Sequence, residues 1–218
     1  MTKRFNLIVF DWDGTLMDST GAIVSAIQNA ARDLGLDVPS QERASHIIGL
    51  GLGDALRHVL PDLPHERYRE LGERYRYHYL ARDHELSLFD GIEALLDELA
   101  AADHHLAVAT GKNRAGLNRA FDNSGLRARF SASRCADECH SKPHPQMLEE
   151  LMTEFAVTPD QVVMIGDTTH DLNMATNAGV VGVGVSYGAH PRHELDAVSP
   201  AYCADSVADL ATWLRHNA

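Results

Sequence analysis

Lysine is nearly missing from this chain of 218 residues: Lys3, Lys112 and Lys142 stand against sixteen arginines, and the formal charge is −12. A chain so acidic lacks the clustered basic field that a phosphodiester backbone requires, which excludes a nucleic-acid surface. Cysteine is just as scarce. Cys135, Cys139 and Cys203 are an odd number with no export signal ahead of them, so no disulfide framework is expected. Cys135 and Cys139, with His140 beside them, lack the second ligand pair of a zinc site and read as incidental loop residues. No apolar run approaches the roughly 20 residues of a membrane helix. The opening Met-Thr-Lys-Arg-Phe-Asn leads into strand-like sequence too short for a secretory signal, so no membrane association and a cytoplasmic location are expected. Thirteen histidines are scattered singly (His46, His58, His78, His104, His216), none paired as His-x-x-x-His on a helical face, and most read as solvated. Repeats, low-complexity tracts and long linkers are absent as well.

What is present is a globular composition, 44% hydrophobic, enough for one substantial core carrying a smaller insertion. The densest information lies in Phe10-Asp11-Trp12-Asp13-Gly14-Thr15-Leu16, where two carboxylates follow the apolar run Leu7-Ile8-Val9-Phe10. Parallel sheets build ligand sites outside the carboxyl ends of their strands. Extended spacing puts Asp11 and Asp13 on one side of the backbone and Trp12 on the other, and Gly14 permits a tight turn. A calcium loop is excluded, because its fifth and twelfth positions would be Thr15 and Ala22.

The periodicity then divides the chain. Residues 19–35 carry Ile23, Ile27, Ala30, Ala31 and Leu34 at helical spacing, with Gly35 as the stop. Ser40 caps a short helix through Ile47, Gly49-Leu50-Gly51-Leu52-Gly53 interrupts it, and a further helix runs from Asp54 to Leu60. The stripe Tyr68, Leu71, Tyr75, Tyr79 on a long helix over 65–82 reads as a packed face of a bundle, with a ligand-stacking surface as the alternative. From Leu88 onward strands and helices alternate: helix 91–102, strand 105–110, helix 113–124, a short strand near 130–133, helix 145–156, strand 162–166, helix 170–178, strand 180–185 and a last helix over 206–216. Such βα units specify a parallel sheet covered on both faces. The expected fold is therefore a Rossmann-like α/β core from residues 1–15 and 86–218, with an all-helical unit, residues 16–85, inserted after the first strand.

Three strands of that sheet end in small or acidic polar residues: Phe10 into Asp11, Ala109 into Thr110-Gly111-Lys112, and Ile165 into Gly166-Asp167-Thr168-Thr169-His170-Asp171. Their ends share one edge, so the clusters meet. Asp167 and Asp171 can aim at one point across a loop-to-helix junction, although either can also cap the helix. Carboxylates gathered with no His or Cys among them suit Mg²⁺, which keeps positions for water and substrate phosphate. Lys142 precedes a helix started by Pro145, where the macrodipole disfavours a cation, and a bound anion would relieve that conflict.

Asp11-x-Asp13-Gly14-Thr15, Thr110, Lys142 and Gly166-Asp167-x-x-x-Asp171 resemble, in order and spacing, the four motifs of the haloacid dehalogenase (HAD) superfamily, over essentially the whole chain. The helical insertion resembles that superfamily's first cap type. The resemblance implies that Asp11 attacks phosphorus and that Asp13 protonates the leaving oxygen and later activates water. It implies Mg²⁺ held by Asp11, the Asp13 carbonyl and Asp167, with Asp171 in support, charge stabilisation by Thr110, the Gly111 backbone and Lys142, and substrate contacts at Gly111 and Lys112. Asp13 disfavours dehalogenation, because dehalogenase members lack an acid there. No lysine lies between residues 4 and 111, which removes a Schiff-base mechanism from the cap. The remaining reading is a phosphatase acting on a small phosphomonoester, phosphoglycolate-like or a sugar phosphate. A β-phosphoglucomutase-type transfer and a catalytically silent binding module are the alternatives. The stretch Arg43 to Gly53 resembles the cap of phosphoglycolate phosphatases, with Gly49, Leu50 and Gly51 as a turn facing the core and Arg43 and Arg57 as anion contacts. A monomer is the default, a homodimer the alternative.

Overall fold

A computed structural model describes residues 4–218. The first strand, β1 (Leu7–Phe10), is four consecutive apolar residues, all buried, as expected of a strand covered on both faces. Residues 20–80 contain four helices, α1 (Thr20–Asp33), α2 (Gln41–His46), α3 (Leu52–Val59) and α4 (Tyr68–Leu80). The chain then alternates: α5 (Ile92–Ala101), β2 (His105–Thr110), α6 (Arg114–Ser124), β3 (Ala132–Cys135), α7 (Gln146–Phe155), β4 (Val162–Gly166), α8 (Thr169–Ala178), β5 (Val181–Val185), α9 (Arg192–Ala197), β6 (Tyr202–Ala204) and α10 (Val207–Asn217).

The six strands form one parallel sheet in the order β3-β2-β1-β4-β5-β6. β1 lies in the middle, with Phe10 level with Val108 on one side and Ile165 on the other. Alternation along β1 feeds two cores. Ile8 and Phe10 pack under α5, α6 and α10, while Leu7 and Val9 pack under α7 and α8.

The helices α1 to α4 gather their own core around Ile23, Ile27, Ala30, Leu56, Val59 and Leu71. Two adjacent segments join this unit to the sheet. Met17 bridges Leu88, Asp18 N–H donates to Ser87 at 2.9 Å, and Phe89 N–H donates to Leu16 at 3.1 Å. The helical cap thus hangs on a short two-stranded connection beside Asp13.

The structure departs from expectation where signals are short. β6 is three residues at the sheet edge and α9 only six, too brief for periodicity to register. β3 starts at Ala132, and Phe130, which opens the expected strand, packs with Trp12 and Phe121 instead. α3 starts at Leu52 rather than Asp54, since Gly51 occupies the N-cap. α4 is preceded by a 3-10 turn, His65–Arg67. The tyrosine stripe divides: Tyr68 packs within the cap, while Tyr75 and Tyr79 also line a cavity between the cap and the carboxyl end of the sheet.

Candidate active site

Asp11, Asp167 and Asp171 come together at the carboxyl end of the sheet, fully buried, with carboxylate oxygens within 4.8 Å of one another. β1 delivers Asp11, whose N–H continues the sheet by donating to Ile165 at 2.9 Å. Asp167 follows β4; it accepts from Thr15 Oγ1 at 3.0 Å and from the Ala189 N–H at 2.7 Å. Asp171 does two jobs. Its Oδ2 completes the capping box of α8, accepting from Thr168 N–H at 3.1 Å and Oγ1 at 2.6 Å, while Oδ1 turns to Lys142. Gly14 is required here twice over: its φ of 80° suits glycine, and a Cβ would run into the Asp167 carboxylate.

Lys142 is not the solvated residue that its loop position allowed. Its ammonium is buried and lies 2.6 Å from both Asp11 Oδ1 and Asp171 Oδ1. These two carboxylates offset the unfavourable helix dipole. Burial opposes the charge on Lys142, but Asp11 and Asp171 hold its pKa above the ordinary lysine value. Burial likewise pushes Asp11 up to about 7; Lys142 opposes that rise and Asp171 and Asp13 add to it. Asp167 is raised well above the ordinary carboxylate value by burial, with Asp11 and Asp171 contributing.

Asp11 Oδ2 is buried and accepts no hydrogen bond among the described residues. An orphaned carboxylate oxygen is costly to bury, and one lysine faces three acids. An all-oxygen donor set short of positive charge fits Mg²⁺.

Asp13 stands apart from this group. Its carboxylate accepts from Ser19 Oγ at 2.6 Å and pairs with Lys112 Nζ at 2.9 Å, outside the group formed by the other three carboxylates. Lys112 meets the hydroxyl of the cap residue Tyr79 at 3.0 Å, and the buried Thr110 accepts the Lys112 N–H at 3.2 Å. Asp11 and Asp13 line a cavity of about 570 Å³ closed from the cap side by Gly49, Leu50, Gly51, Arg57, Tyr75 and Tyr79.

The Gly49-Leu50-Gly51 turn packs directly on the core. A Cβ at Gly111 would lie 2.5 Å from the carbonyl oxygens of Gly49 and Leu50, and Gly51 N–H donates to Ser141 Oγ at 2.9 Å. Gly111→Ala is therefore expected to hold the cap off the core and lower kcat/KM by about a hundredfold, the scale of an ångström misplacement, with little change in Tm. Steady-state kinetics with a thermal melt checks this. Arg57 lines the cavity but is paired with Asp54 at 2.7 Å, whereas Arg43 is exposed on α2 and does not line it.

Sequence reasoning missed several supports of the site. Ser19 opens an expected helix, Thr168 and the segment Gly188-Ala189-His190 carry no expected role, and yet the backbone of that segment, which follows β5 beside β4, holds Asp167. Histidine was also misjudged in part. His170 and His190 both donate through Nε2 to the His46 carbonyl, at 2.9 and 3.1 Å, latching α2 to the core. Burial pushes His190 down to about 4, and its neutral Nδ1 accepts the Thr169 N–H at 3.1 Å. His46, His190 and Glu194 bring possible ligand atoms within 4.8 Å, but both ring nitrogens of His190 are committed to these hydrogen bonds and its ring stacks on His46 at 7°. That is a latch, not a metal centre.

Residues 8–185 match the model of the haloacid dehalogenase-like hydrolases. The chain is 34% identical to the probable phosphatase IndB of Dickeya dadantii, covering 94% of this chain and 91% of that protein. It is 30% identical to a phosphoglycolate phosphatase of Vibrio parahaemolyticus, covering 96% of each. A hydrolase from Pseudomonas syringae shares the fold, with a TM-score of 0.89 at 22% identity over 97% of this chain and 98% of that one. With its acidic cluster, inserted helical cap and ordered motifs, the chain belongs to the haloacid dehalogenase-like hydrolase family.

Proposed function

We propose that this hydrolase is a Mg²⁺-dependent phosphatase of a small phosphomonoester, acting through an aspartyl-phosphate on Asp11. The observation that carries the reading is the free Oδ2 of Asp11, buried in a cavity that Asp13 also lines. Asp11, Asp167 and the backbone at Asp13 would hold Mg²⁺, with Asp171 in support, and the ion when bound offsets the shared negative charge of nucleophile and phosphate. Asp11 Oδ2 attacks phosphorus. Lys142 fixes the other oxygen of the same carboxylate, so the nucleophile is aimed before substrate arrives. Asp13 gives its proton to the leaving oxygen and then takes one from the water that hydrolyses the intermediate. Thr110 and Gly111 border the phosphoryl position, and the cap turn excludes bulk water. The phosphoglycolate phosphatase relative supports a short acidic phosphoester as substrate, with a sugar phosphate as the other candidate.

Phosphate release from a panel of phosphomonoesters, with and without Mg²⁺ and with Asp11→Asn as control, tests the reading; equal rates for both proteins would sink it. Glucose 6-phosphate formed from β-glucose 1-phosphate and a bisphosphate primer faster than free phosphate would point to a mutase instead.

Mg²⁺ binding carries its own pH signature. A proton on Asp11 competes with the ion, so affinity should fall as the pH drops through about 7, and binding should release protons. Calorimetric titration from about pH 8 to about pH 6 checks the sign. An affinity independent of pH would count against Asp11 as a ligand.

A further inference from the structure

We infer that Lys112, clamped by the cap residue Tyr79, is a positioning residue that sets the Asp13 carboxyl for proton transfer when the cap is closed. The inference rests on the phosphatase reading of the site.

The two oxygens of Asp13 are held from different parts of the molecule. Ser19, buried at the start of α1 beside the cap connection, donates to Oδ1, and Lys112, in the loop after β2, pairs with Oδ2. Lys112 has a four-carbon stem with ample rotamer freedom. It is fixed here by Tyr79, whose hydroxyl lies 3.0 Å from Nζ and whose ring centroid lies 4.9 Å away. Tyr79 sits in the last turn of α4, on the cap. A cap swung away from the core would take Tyr79 with it and remove this restraint on the ammonium that faces Asp13. Both side chains also line the site cavity and a neighbouring cavity of about 210 Å³, so the pair stands between the two. Lys142, not Lys112, is the cation beside the nucleophile.

Each carboxylate oxygen keeps a second lone pair beyond the one facing Ser19 or Lys112, and the transferred proton occupies it. In the first step the Asp11–phosphorus bond forms, the ester P–O bond breaks, and the Asp13 proton passes to the leaving oxygen, giving the alcohol. In the second, Asp13 takes a proton from water, hydroxide bonds to phosphorus, and the Asp11–phosphorus bond breaks to free phosphate. A carboxyl rotated out of line fails in the first step most severely when the leaving oxygen is strongly basic. A nitrophenolate leaves with little help.

The discriminating readout is therefore the dependence of kcat/KM, which reports the first step, on leaving-group basicity. Wild type, Lys112→Met, Lys112→Arg and Tyr79→Phe are compared on phosphomonoesters running from p-nitrophenyl through phenyl to alkyl. For Lys112→Met the loss should widen from less than about tenfold with p-nitrophenyl phosphate to about a hundredfold or more with the alkyl esters, the range of a general acid. Tyr79→Phe keeps the ring and should show the same trend more weakly; Lys112→Arg should recover part of it. A loss of equal size across the series would make Lys112 a phosphate-binding residue and overturn the inference, as would no loss at all. A wild-type chain no faster than Asp11→Asn on every ester overturns both readings, whereas an active wild type with parallel variant profiles overturns this one alone.

Discussion

Asp11→Asn is expected to lower phosphate release by about 10⁴-fold or more, because on the proposed mechanism a carboxamide cannot form the covalent intermediate. The substitution is nearly isosteric, and its oxygen can still accept from Lys142, which also keeps Asp171 at 2.6 Å. Loss of activity should come without loss of fold. A carboxyl whose folded pKa is raised from 3.8 to about 7 weakens the native state above that range, since the chain must bury a charge that the unfolded state solvates. The penalty sets in as the pH rises through this interval and is complete above it. In metal-free buffer near pH 8, Asp11→Asn should therefore melt at or above the wild-type temperature. Adding Mg²⁺ should then raise the wild-type Tm more than that of the variant, which lacks the proposed ligand. A variant that unfolds early, or keeps more than about a hundredth of the activity, would remove Asp11 from the nucleophile's place.

Much of this arrangement was legible in the chain because it is local. Apolar runs ending in Asp11, Thr110 and Asp167 could be placed on one edge from the strand-helix alternation alone, and the sheet aligns those ends. The helical insertion was visible as a change of period. What the sequence withheld depends on rotamers and on contacts between distant segments. Lys142 could be read as solvated because nothing near it in sequence shows that Asp11, 131 positions away, would receive its ammonium. Asp13 and Lys112 both stood out, yet not as partners, since the loop after β2 meets the first motif only in three dimensions. His190 looked like surface because one histidine in a polar loop carries no sign of a carbonyl waiting on the cap. Tyr79 belonged to a stripe that serves two purposes, packing on one edge and closing the cavity on the other.

Lys142→Met should cost stability and activity together, unlike Asp11→Asn. The ammonium is fully buried and is the cation held between Asp11 and Asp171. Methionine fills much of the same volume but leaves Asp11, Asp167 and Asp171 crowded in a dry site without it. Removing one partner of a buried ion pair costs about 3–5 kcal/mol, and in a chain of this size each kcal/mol moves Tm by about 2–4 °C. A fall of roughly 6–20 °C is expected in metal-free buffer. The deficit should respond to pH with a definite sign. Lysine lowers the pKa of Asp11, so its loss lets that value climb further, and protonation then relieves the repulsion. The gap between variant and wild type should narrow as the pH falls through the raised carboxyl range and widen above it. Mg²⁺ should narrow it as well, by returning positive charge to the cluster. Activity is a separate matter: with the proposed nucleophile no longer fixed and a cation gone from beside the proposed phosphoryl position, kcat should drop about 10²–10³-fold even where Mg²⁺ has restored the fold. An unchanged Tm at alkaline pH would mean that Asp11 and Asp171 do not carry the charges assigned to them. A restored fold with wild-type kcat would leave Lys142 a purely structural counterion.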